Sequence, residues 1–132
     1  MTILNRLRSA ESGSRELDVA IRTYEVGATA EWQDYKQDYA FHRDGSWVSI
    51  EPIEPASTSI DAALALVKRM LPGLHHHTLY SAYLSGMGTS VPNRFSMVCH
   101  KRNIQVAENG ATPPLAILTA LFTALEAKDI AP

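Results

Sequence analysis

Residues 115–125 constrain the fold of this chain most. Leu115, Leu118, Phe122 and Leu125 recur at helical spacing, with Ile117 and Leu121 beside them. So wide an apolar stripe implies a helix that is well buried. Thr112 stands ahead of it as an N-cap, and Pro113 suits the first turn, where its missing N–H costs nothing. At 132 residues the chain can bury one core but not two comfortable ones. The expected organisation is therefore a single domain, 1–132, with a core over 14–127 and a helical extension over 1–13.

Two further helices read clearly. Ser14 is a good N-cap for a segment in which Leu17, Ala20, Ile21 and Tyr24 share a face, and Gly27 stops it. Thr58 or Ser59 caps a helix with Ile60, Ala63, Leu64, Val67, Met70 and Leu71 on one stripe. Thr58 and Asp61 have capping-box spacing, Lys68 and Arg69 occupy the last turn, and Pro72-Gly73 ends it. A shorter helix over Ile3 to Glu11 would place Ile3, Leu7 and Ala10 together.

Strands fall between the helices. Tyr39 to Arg43 and Trp47 to Ile50 flank Asp44-Gly45, a pair suited to a type I′ hairpin turn with its positive φ angles. Thr78 to Ser85 and Phe95 to Lys101 alternate, the latter with Phe95, Met97 and Cys99 on one face. Ile104 to Val106 extends this strand or begins another. No clear pattern covers Ala28 to Lys36, and the prolines of Glu51-Pro52-Ile53-Glu54-Pro55 mark an extended connector. Strands grouped between helices and joined by hairpins predict an α+β fold, a mostly antiparallel sheet layered with helices as an α/β/α-type sandwich.

Three segments, in this order, carry a resemblance: Arg15-Glu16-Leu17-Asp18-Val19-Ala20-Ile21, then Thr58-Ser59-Ile60-Asp61-Ala62-Ala63-Leu64-Ala65-Leu66-Val67, then Gly110-Ala111-Thr112-Pro113-Pro114-Leu115-Ala116-Ile117. Together they resemble the phage ABA sandwich domain family, small proteins encoded by phages and prophages. The resemblance runs from about Arg15 to Ala127 and implies a layered helix–sheet–helix sandwich. It departs at Leu74-His75-His76-His77, where a tryptophan is usual, and over Trp32 to Pro55, which is longer than usual. It implies no activity, cofactor or catalytic residue, and the shared motifs read as caps, first-turn prolines and buried faces.

Composition narrows the function. The formal net charge of −2 gives no global attraction to nucleic acid or anionic lipid. A single cysteine excludes an internal disulfide and fits a reducing compartment. The polar N-terminus does not read as a signal peptide, and no stretch approaches the ~18 apolar residues of a membrane span. The expected location is the cytoplasm of a host cell. The P-loop, the dinucleotide-binding glycine motif, HExxH, GxSxG and paired CxxC are all missing from the sequence.

The remaining chemistry is local. His75 and His77 fall two apart, and His100 on a neighbouring strand would complete a three-histidine metal site. The competing reading is a polar run at a strand start. Cys99 needs a base from another strand, His42 or His77, to act as a nucleophile, and a buried core thiol is the simpler reading. Glu16, Asp18, Glu51 and Glu54 read as solvated carboxylates and Asp61 as part of a cap. Arg94, Lys101 and Arg102, with Tyr80 and Tyr83, would form a patch for single-stranded nucleic acid. The leading expectation is a non-enzymatic protein, with no catalytic residue and no cofactor, that contacts a host or phage protein or itself through a sheet face or edge. The alternatives are a nucleic-acid-binding module and a histidine-cluster metalloenzyme. No membrane role is expected.

Overall fold

The structure, a computed structural model, describes residues 2–35, 37–49, 53–71, 76–80, 93–99 and 104–130. Four helices and six strands lie among them: α1 (Ile3–Ser9), α2 (Arg15–Val26), β1 (Thr29–Gln33), β2 (Asp38–Arg43), β3 (Ser46–Ser49), α3 (Ile60–Met70), β4 (His76–Tyr80), β5 (Asn93–Cys99), β6 (Ile104–Gly110) and α4 (Pro113–Ile130). The fold is α+β, with antiparallel strands and helices layered on them. The strands form two three-stranded sheets, β1-β2-β3 and β4-β5-β6, in place of the one shared sheet expected. Each is a meander of sequence neighbours, and α3 lies between them in the chain.

Helix α4 is the centre of the packing. Eight consecutive residues, Leu115 to Phe122, are buried, as are Ala124 and Leu125. Such a run spans more than two turns, so every direction around the axis is covered. Strands β5 and β6 pack against α4, and so do α1 and α3. Thr119 and Thr123 do not interrupt the helix. Their hydroxyls donate to the carbonyls of Leu115 and Thr119, at 2.7 and 2.8 Å, and so are satisfied within it. Thr112 caps it as the sequence indicates, its Oγ1 accepting from Leu115 N at 3.3 Å.

From β5, Phe95 and Met97 enter this core, as their alternation predicts; the Cys99 side chain lies outside the described residues. Helix α1 adds Leu4 and Leu7. Helix α3 contributes Ala63, Leu66 and Val67, and Leu71 follows, but Ile60 is 39% exposed. Its buried face is thus rotated from the expected stripe, and α3 packs against α4. Ser59 is the cap, accepting from Ala62 N at 3.2 Å, while the Thr58 hydroxyl turns back to the Pro55 carbonyl.

Helix α2 joins two cores. Leu17 and Ile21 belong to the cluster around α4, and Val19 packs with Phe41 and Ile53 beneath the first sheet. Ser14 caps α2, and Gly27 closes it at φ 64°. Asp18, expected to be solvated, is 5% exposed: its Oδ1 accepts the Ser57 N–H at 2.8 Å. The donor arrives from 39 residues along the chain, which spacing within the helix could not reveal. The Ser57 hydroxyl donates to the Ser14 carbonyl and accepts from Ser14 N–H, at 2.9 and 3.0 Å. Gly13 makes this approach feasible, since a Cβ there would overlap the Ser57 carbonyl. Arg15 reaches the Ile53 carbonyl and grips both carboxylate oxygens of Asp38 at 2.7 and 2.9 Å. Arg15 and Asp18 of the first motif and Ser57, the residue before the second, thus meet in one clamp.

Two outcomes follow in urea unfolding. Leu66→Ala should cost about 3 kcal/mol and Ile60→Ala about 1 kcal/mol or less, the order set by burial in the rotated α3 face. Asp18→Ala should cost about 2 kcal/mol by orphaning the buried Ser57 N–H, and Asp18→Asn, which keeps an acceptor, markedly less.

Candidate functional site

The first sheet holds an aromatic surface that the sequence reading passed over. Both tryptophans of the chain, Trp32 and Trp47, lie in it, and Tyr35 lies in the turn between its first two strands. Trp32 is 48% exposed, Trp47 57% and Tyr35 83%. The register explains the arrangement. Trp32 stands opposite Tyr39, and Ala30 opposite Phe41, so these residues share the inward face. His42 stands opposite Trp47 on the other face.

Each exposed indole is held. The Trp32 ring meets Tyr39 edge to face at 5.2 Å, and its Nε1–H donates to Asp34 Oδ1 at 2.7 Å. The turn itself is built on Asp34, whose carbonyl accepts from both the amide and the side chain of Gln37, at 3.3 and 2.7 Å. Gln37 takes a positive φ of 52° to do so. On the outer face the His42 and Trp47 rings meet edge to face at 5.6 Å, and His42 Nε2 lies 3.4 Å from Glu31 Oε2. Asp44 and Gly45, at φ 54° and 82°, form the expected tight turn that joins β2 to β3.

Residues 29–49 contain Glu31, Asp34, Asp38 and Asp44 against Lys36 and Arg43. Asp38 is paired with Arg15, whereas Arg43 donates to the Val26 carbonyl at 3.1 Å and keeps its charge, so the segment's formal −2 becomes −1 once Arg15 is counted. The surface is aromatic and acidic. Covering half of an indole removes enough apolar area to be worth roughly 2–3 kcal/mol. The sequence signal was the alternation of Ala30 and Trp32 with Thr29, Glu31 and Gln33, a half-buried edge strand within the segment that had no clear pattern.

Most of the residues singled out from sequence lie outside the described residues. Within β4, His77 pairs in register with Met97, and Tyr80 with Arg94. His75, Tyr83, His100, Lys101 and Arg102 lie outside the described residues. Arg94 is exposed and donates to Asn109 Oδ1 at 3.0 Å. Cys99 pairs with Ile104 at the end of β5, and His42 belongs to the other sheet. Among the described residues no group of three or more His, Cys, Asp or Glu is placed to hold a metal.

Two clefts open elsewhere. One, of about 240 Å³, is lined by Ser12, Gly13, Ser57, Thr58, Thr112 and Pro114 at the start of α4. It is a poor anion site: Pro113 and Pro114 have no N–H, and the next two amides already bond to Thr112. The other, of about 340 Å³, lies between Ile3, Leu4, Tyr24, Phe122 and Glu126. Its described walls offer one carboxylate and no neighbouring base.

A charge network links α2, α3 and the connector before α3. Glu25 accepts from Arg22 at 3.1 Å and from Arg69 at 2.9 Å, and Arg69 also grips Glu54 at 3.0 Å. Glu54, read from sequence as a solvated carboxylate, is therefore paired. Burial pushes the Glu25 carboxyl up, but Arg69 and Arg22 outweigh it and hold it below the ordinary glutamate value. Arg69 is held up by its bond to Glu25 against the opposing effect of burial, with Glu54 adding to the rise. Two cations facing two anions leave no net charge to recruit a ligand, so the network reads as an architectural tie.

No protein-family model, curated protein or solved structure matches the chain.

A carboxyl whose value falls on folding contributes stability that is complete above the unfolded value and fades as pH drops through the folded one. Glu25→Gln should therefore destabilise by about 1 kcal/mol at pH 7. The gap from the parent protein should close as the pH falls below the ordinary glutamate range. Urea midpoints across an acid pH series check this, and a gap that widens in acid would contradict the sign.

Proposed function

We propose that this chain is a non-enzymatic accessory protein of a phage or prophage that acts through protein–protein contact in the host cytoplasm, with the exposed aromatics of the first sheet, Trp32 on one face and Trp47 on the other, as its contact residues. The observation that carries this reading is the half-exposed state of Trp32 and Trp47 while each is held by neighbouring side chains. A rigid indole loses little freedom when covered, and tryptophan and tyrosine are the residues that most often anchor protein interfaces. The phage origin rests on the resemblance of the three sequence motifs.

The acidic setting favours protein over nucleic acid as the partner. Glu31 and Asp34 beside the rings would repel the phosphates that dominate nucleic-acid affinity. Stacking platforms for single strands pair their aromatics with basic side chains, and here the charged group bonded to Trp32 is the Asp34 carboxylate.

The test compares the parent protein with a Tyr35→Ala, Trp47→Ala double variant in co-purification from host-cell lysate and in size-exclusion light scattering. The parent should retain a stoichiometric protein partner or self-associate. The double variant should lose that assembly with an unchanged thermal midpoint, since both side chains are largely solvated. A parent that stays monomeric and partnerless, or a variant that keeps the assembly, refutes the reading.

A further inference from the structure

Among the described residues the first sheet ends on β1, and what β1 lacks is informative. Edge strands are commonly guarded by lysine, proline or a bulge, because every second residue turns an unpaired N–H and C=O outward. Thr29-Ala30-Glu31-Trp32-Gln33 contains no lysine and no proline, and its register with β2 runs unbroken over all five residues. The other edge of this sheet is different: β3 is offset at the bulge that leaves Val48 between Ser49, opposite Phe41, and Trp47, opposite His42. Strand β6, an edge of the second sheet, presents exposed Gln105, Ala107 and Asn109 with no aromatic, and its Glu108 is engaged by Arg8 and Thr123.

Charge complementarity then selects the occupant. Glu31 and Trp32 are consecutive and face opposite sides of the sheet. A residue added opposite Glu31 meets, on the outer face, a carboxylate that His42 approaches from the other side at 3.4 Å. A residue added opposite Trp32 meets an exposed indole whose nitrogen is tied to the Asp34 carboxylate. A guanidinium or ammonium suits both places, by cross-strand ion pairing at the first and by cation–π contact beside a carboxylate at the second. From this juxtaposition we infer that β1 captures an extended segment of a partner protein bearing two consecutive basic residues, added to the sheet as a fourth strand. The inference rests on the contact reading proposed above and names the partner's chemistry. Main-chain bonds supply affinity, and the paired basic residues supply the register.

The experiment selects a displayed random heptapeptide library on the immobilised full chain, then titrates the consensus peptide while following tryptophan emission. Enriched sequences should be proline-free and carry adjacent arginine or lysine. Methylating the backbone nitrogens of the consensus peptide should abolish binding with its charges intact. Asp34→Asn and Glu31→Gln, both at exposed positions, should each weaken binding about threefold, and Trp32→Ala at least ~10-fold. Enrichment without basic pairs, no enrichment, or binding indifferent to backbone methylation overturns strand capture. A lysate partner that depends on Tyr35 and Trp47 but is not displaced by the peptide also overturns it, while leaving the contact reading in place. Loss of that partner in the parent protein removes the contact reading itself.

Discussion

Helix α4 has no solvent side over its first two turns and beyond, and the rest of the molecule is arranged to cover it. A helix that is apolar all round cannot be satisfied by one sheet face, which covers about half of its circumference. Strands β5 and β6 take one part, and α1 and α3 take the rest. The short α1 therefore contributes to the core through Leu4 and Leu7, although seven residues could not hold a helix alone in water. The two threonines are tolerated at the buried centre because each spends its hydroxyl on the carbonyl one turn back.

The second organising interaction is the clamp between the start of α2 and the approach to α3. Ser14, Asp18 and Ser57 satisfy one another across 39 to 43 residues of chain, and Arg15 extends the tie to Ile53 and Asp38. The polar residues Arg15 and Asp18 of the first motif are thus engaged within the protein. Their donors and acceptors are used within the protein, where a buried group left alone would be costly. The same clamp sets the first sheet beside α2, because Asp38 opens β2 and Ile53 belongs to the small core under that sheet. The aromatic surface is thus held by the same residues that specify the fold.

Much of the architecture was legible because it rests on local rules. The caps at Ser14, Ser59 and Thr112, the left-handed stop at Gly27, the Asp44-Gly45 turn and the inward Phe95 and Met97 all depend on neighbours within a few residues. The aromatic face was not legible for a matching reason. Whether Trp32 and Trp47 are covered or bare depends on which strands lie beside them, and a tryptophan in sequence gives no sign of that. Asp18 was misread in the same way, since its partner amide comes from a distant segment.

By itself the sequence determined the α+β class, the helix ends, the hairpin turn and the presence of one helix too apolar to face water. These follow from backbone sterics, capping and hydrophobic periodicity, which act over a turn or a pair of strands. Only the tertiary structure decided that the strands divide into two sheets, that α3 turns a different face inward, and that β1 is an edge strand among the described residues, flanked by Trp32, Glu31 and Asp34. Those outcomes depend on how the area around α4 is shared among competing elements, a global packing condition that no local window contains.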